Sequence, residues 1–80
     1  IFMENQRSIG EILKQTKKIE ENNWNNSHHL NSINMMLVSN DLAVVKDEKL
    51  SEKFRQLNNK MEDVNKLTEE LLKDLSSRHN

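Results

Sequence analysis

Apolar residues recur along this chain at alternating spacings of four and three. In the C-terminal half, Leu50, Phe54, Leu57, Met61, Val64, Thr68, Leu71 and Leu75 keep that rhythm, with Thr68 as the one polar member. Two apolar positions in every seven lay a stripe along one side of an α-helix and predict a seam for packing against another helix. Leu67 and Leu72 widen the stripe. A wide stripe suits a bundle better than a bare two-stranded seam. Glu62–Lys66 and Glu69–Lys73 are favourably spaced i,i+4 pairs, whereas Glu70–Asp74 and Lys49–Lys53 repel.

The N-terminal half follows the same rule. Phe2, Ile9, Ile12, Thr16 and Ile19 lie on one seam, which continues through Asn23, Asn26, Leu30, Ile33, Leu37 and Val44. Ser8-Ile9-Gly10-Glu11 has the form of a capping box and predicts a helix start there. Glycine inside a helix costs about 1 kcal/mol relative to alanine, so residues 1–8 are expected to fray or to start separately.

The two seams do not share a register. From Val44 the next positions would be 47, 51, 54 and 58, but the apolar residues stand at 50, 54, 57 and 61. The shift requires either a stammer in one long coiled coil or a break. Ser39-Asn40-Asp41 offers an N-cap for a break near 39–47. Two arms of roughly 50 Å each would result, suited to an antiparallel hairpin. A second possible break, at residues 21–27 (ENNWNNS), would give three helices; no break at all would give a rod of about 120 Å. The reading favours two or three helices in a bundle completed by other chains. The fold class is therefore all-α, with long amphipathic helices forming a hairpin or coiled-coil bundle, and residues 1–80 forming one segment.

Composition strengthens the helical reading. One Gly and no Pro in 80 residues leave almost no material for the turns of β or α/β folds. Without Cys there is neither a disulfide nor a Cys-ligated metal site to brace so short a chain. A net charge of −1 lacks the basic surface of a nucleic-acid binder, so no direct nucleic-acid contact is expected. No run of about 20 apolar residues exists to span a membrane. The first residues, Ile1-Phe2-Met3-Glu4, resemble a cut edge more than a signal peptide, so an intracellular location, cytoplasm or nucleus, is expected.

Charge divides the chain into residues 1–21, an uncharged Asn-rich centre at 22–40 (His neutral) and a charged segment at 41–80. Twelve asparagines run against helix propensity, because the side chain competes for backbone hydrogen bonds. At seam positions, however, they can fix register and oligomer state. A helix face without charges reads as one enclosed by partner helices, with Trp24, Leu30, Ile33, Met36 and Leu37 as anchors. The plainer alternative is an Asn-rich loop followed by an ordinary amphipathic helix. The candidate partner interface adds Leu50, Phe54, Leu57, Met61, Val64, Leu71 and Leu75 from the C-terminal seam.

Other features carry less. His28 and His29 point about 100° apart on a helix and cannot readily share a metal ion, and His79 is remote. Lys14, Lys17 and Lys18 are followed at once by Glu20 and Glu21 and read as a solvated face. The run Met35-Met36-Leu37-Val38 reads as packing. No cysteine nucleophile, Gly-rich phosphate loop or HExxH is present, and no base is placed beside a nucleophile. The expectation is a non-enzymatic protein without cofactor that mediates helix–helix oligomerisation or subunit assembly, its partners being copies of itself or other helical subunits. The alternatives are a membrane-fusion zipper helix and a dimerisation segment of a nucleic-acid-associated regulator.

Overall fold

The computed structural model describes residues 5–38 and 48–79, and all of these except Asn5 and His79 are helical. Helix α1 spans Gln6–Val38 and helix α2 spans Glu48–Arg78. The helices lie antiparallel as a hairpin, because early residues of α1 meet late residues of α2. Gln6 Nε2 donates to the Arg78 carbonyl at 2.9 Å, Asn23 Nδ2 to Thr68 Oγ1 at 2.9 Å, and Asn65 Nδ2 to Ser27 Oγ at 3.0 Å. The molecule is a slab of 59 × 19 × 13 Å.

Two sequence expectations about helix limits are corrected. The start of α1 is set by Asn5, not by a capping box at Ser8. Asn5 Oδ1 accepts from the backbone N–H groups of Arg7 at 2.9 Å and Ser8 at 3.3 Å, satisfying two donors that the helix itself leaves open. Gly10 therefore sits inside the helix, where the absence of a Cβ lets α2 end close by: an added Cβ would lie 2.9 Å from His79 Nε2. Second, α1 runs without interruption through residues 21–27, which excludes the three-helix arrangement, and the antiparallel packing of α2 on α1 excludes the single rod. Asn23 and Ser27 find partners across the hairpin, and the helix continues through this asparagine-rich stretch. Phe2, Ser39, Asn40, Asp41 and Val44 lie outside the described residues.

The inner face of each helix follows a four-three rhythm, interrupted on α1 at the exposed Glu20. On α1 the buried or half-buried positions include Ile9, Leu13, Thr16, Asn23, Ser27, Leu30, Asn34 and Leu37. On α2 they are Phe54, Asn58, Met61, Asn65, Thr68, Leu72 and Leu75. Compared with the expected seams, every second residue is shared: Ile9, Thr16, Asn23, Leu30 and Leu37 on α1, and Phe54, Met61, Thr68 and Leu75 on α2. The intervening positions differ by one. Leu13 replaces Ile12 and Ser27 replaces Asn26, Asn34 is half-buried alongside Ile33, and Glu20 next to Ile19 stays exposed. On α2, Asn58, Asn65 and Leu72 replace Leu57, Val64 and Leu71. Each helix is thus turned by about 50° from the face that hydropathy alone selects.

Polar pairing is the physical counterpart of that turn. Asn23 and Thr68 are buried in the seam, and Thr68 Oγ1 both accepts from Asn23 and donates to the Val64 carbonyl at 2.7 Å. Thr16 likewise donates to the Ile12 carbonyl at 2.7 Å. Among the described residues no buried side-chain nitrogen or oxygen lacks a partner, as low-dielectric burial demands.

Candidate functional site

The residues displaced from the seam form the candidate site. Ile12, Ile19, Leu50, Leu57, Val64 and Leu71 stand 43–50% exposed, and Ile33 is half-buried beside them in the sequence pattern. On α1 they recur every seven residues, interrupted by Asn26. On α2 they recur every seven without interruption. Both rows lie on the same side of their respective seams, one residue before a seam position. In an antiparallel pair, equivalent flanks of the two helices adjoin, so the two rows form one continuous apolar face. Met36 and Leu67, 54% and 58% exposed, extend it outward.

The opposite side of the hairpin differs. Trp24 shares a cleft with Glu20, Glu21 and Glu69, and Asn31 shares a second cleft with Asn58 and Glu62. This side also carries Lys17 and Arg55 at the corresponding flank positions. Trp24 is held by its own helix, its ring meeting that of His28 edge-on with centroids 4.6 Å apart. The hairpin is therefore two-sided: aliphatic on one broad face, polar and charged on the other.

This geometry sorts the candidate interface residues into three places. Leu30, Leu37, Phe54, Met61 and Leu75 lie between the hairpin's own helices. Ile33, Met36, Leu50, Leu57, Val64 and Leu71 belong to the outer apolar face. Trp24 projects from the polar side, 64% exposed, apart from the other anchors of the uncharged centre. The sequence reading missed Ile12 and Ile19 as members of an outward face, since it placed them in the seam. Their spacing from Ile33, with Asn26 between, was the available signal.

Electrostatics contribute little to the apolar face. The rows from Ile12 to Ile33 and from Leu50 to Leu71 hold no charged residue at the seven-residue positions. Among the described residues, Glu62–Lys66 and Glu69–Lys73 do not close into ion pairs. Arg55 instead meets Glu52 through both carboxylate oxygens, at 2.6 and 2.9 Å. Hydrogen bonding to Arg55 lowers the Glu52 pKa, and the same contact raises that of Arg55. No group of three or more His, Cys, Asp or Glu residues able to hold a metal ion occurs among the described residues. None of their helices is long and apolar enough to cross a membrane. Compared with protein-family models, with curated proteins and with solved structures, the chain matches none.

Proposed function

We propose that this chain is an assembly element: a helical hairpin whose outer aliphatic face docks against helices of another chain, holding a larger complex together without catalysing a reaction. The observation that carries this reading is the inversion of polarity between seam and flank. The hairpin buries Asn23 and Thr68 inside and leaves Leu50, Leu57, Val64 and Leu71 half-exposed outside. A hairpin built to stand alone would gain more by burying the leucines, at about 25 cal/mol per Å² of apolar surface. A helix that must meet two neighbours instead carries a third apolar row beside the two of its seam, and both helices here do so. The inner polar layers favour one register between α1 and α2, and that register fixes the shape of the outer face.

Photo-crosslinking in cells that express the protein tests the reading. A photoreactive residue at Leu57 is expected to give protein adducts, and one at Asn59 on the other side of α2 few. The adducts should disappear in Val64→Asp/Leu71→Asp while circular dichroism of that variant stays helical. Equal labelling from both positions, or adducts that survive the double substitution, would overturn the docking role of this face.

A further inference from the structure

We infer that the occupant of the apolar face is a second copy of the same hairpin, packed face to face so that α2 runs antiparallel to the partner's α2 about a two-fold axis at Leu67. The inference rests on the docking reading above and adds the identity and direction of the partner. Area is the first argument. With the axis at Leu67 the two α2 helices overlap over residues 56–78, about 33 Å of helix, and two adjacent helices are about 20 Å across, so the shared face covers about 600 Å². Two such faces together reach the lower range of specific, stable interfaces, about 1,200 Å² in total.

Charge is the second argument. A two-fold contact places a patch against itself, so a charge on the patch meets its own kind unless the axis pairs it with an opposite. The rows themselves carry none. Along the outer edge of the face on α2 stand Lys53, Lys60, Leu67 and Asp74, each seven residues from the next, and an axis at Leu67 carries Lys53 past the Arg78 end of the partner's α2. An axis at Leu67 sets each Lys60 opposite the partner's Asp74, and Leu67 opposite its own copy. The corresponding edge of α1, with Ser8, Gln15, Asn22, His29 and Met36, brings no acidic, Lys or Arg side chain to the contact. Turning the second copy so that α2 faces the partner's α1 would leave Lys60 and Asp74 opposite uncharged residues. The result is a four-helix bundle in which Leu57, Val64, Leu67 and Leu71 lie within the overlap of the two α2 helices, residues 56–78, while Leu50 lies beyond it.

The absence of native cysteine makes the test direct. Sedimentation equilibrium of the wild-type chain is expected to give twice 9.5 kDa. Leu67→Cys should then form a disulfide-linked dimer rapidly in mild oxidant, because the two thiols meet at the axis. Leu50→Cys should not, because the same axis separates its two copies by 34 residues, about 50 Å. Lys60→Asp should weaken the dimer several-fold, and adding Asp74→Lys should restore it. A helical monomer at all concentrations would overturn the second copy as occupant. If photo-adducts at Leu57 then persisted with a different protein, the docking face would stand and only the self-partner would fall. A dimer that crosslinks at Leu50 and not at Leu67 would overturn the antiparallel register.

Discussion

Asn23 and Thr68, 45 residues apart in sequence, are joined by a 2.9 Å hydrogen bond in the buried centre of the hairpin. The Thr68 hydroxyl passes the contact on to the Val64 carbonyl, so one oxygen serves as acceptor and donor at once. Removing either partner leaves the other without solvent to replace it. Thr68→Val is expected to destabilise by about 1–3 kcal/mol, the cost of a buried amide with no acceptor. Urea melts should show this. Asn23→Leu with Thr68→Leu should recover much of the loss, since an apolar pair in place of a satisfied polar one is close to neutral. A neutral Thr68→Val would remove this bond from the account of the fold.

The recovered stability should come with lost uniqueness. In Asn23→Leu/Thr68→Leu the helices no longer have a polar pair to align, and a neighbouring register becomes competitive. Paired thiols probe it: Thr16→Cys with Leu75→Cys, each seven residues from the Asn23–Thr68 pair, should close a single disulfide species less selectively in that background than in the wild-type one. Equal selectivity in both would show that the apolar layers alone hold the register.

Gly10 gives a prediction with a sign. Alanine in its place gains up to about 1 kcal/mol of helix propensity. The added Cβ would lie 2.9 Å from the His79 ring, but that ring belongs to an exposed side chain just past the end of α2 and can swing aside. Gly10→Ala should therefore raise the thermal midpoint. A fall would mean that His79 is fixed against α1.

Leu30 and Ile19 separate the two faces. Leu30 is 6% exposed between the helices. Leu30→Ala should cost about 2–3 kcal/mol, toward the lower end for leucine truncation because a two-helix seam can partly collapse. Ile19, on the outer face, should cost the hairpin itself much less when truncated, and its effect should appear in association. Chemical denaturation at low and high protein concentration distinguishes the two. An Ile19→Ala effect independent of concentration would place that side chain in the fold and not in an interface.

The Glu52–Arg55 contact sets a pH dependence. The folded carboxylate has a lowered pKa, so its contribution is present above the ordinary glutamate range and is lost as pH falls through the folded value. Wild type should exceed Glu52→Gln in thermal stability near neutral pH, and the two should converge in acid. Because both side chains are exposed, the difference should be small and should shrink in high salt. A gap that widened toward low pH would have the wrong sign for this pair.

Much of the architecture was legible in the chain. Seven-residue apolar spacing and the scarcity of turn residues pointed to long amphipathic helices, and the register change after Val44 left a hairpin of two similar arms, three helices and a single rod all open. Less legible was which residues of the wide stripe face inward. Phe54, Met61, Thr68 and Leu75 belong to both possible faces, and hydropathy ranks Leu57 above Asn58 and Val64 above Asn65. The start of α1 was misplaced for a similar reason, since Asn5 and Ser8 are both competent caps and local sequence does not weigh one against the other. The separation of Trp24 from the remaining uncharged centre was equally invisible, because a tract without charge spans all sides of a helix.

By itself, then, the sequence determined the element type and the width of the apolar stripes, because helix periodicity is a local property carried by i, i+3 and i+4 neighbours. Tertiary structure alone decided the rotation of each helix within its stripe. That choice depends on partners far apart in the chain: Asn23 finds Thr68, Ser27 finds Asn65, and Gln6 reaches the end of α2 only once the helices lie antiparallel. Hydrogen bonds between distant polar side chains turn the asparagines inward, and the leucines they displace become the outer face.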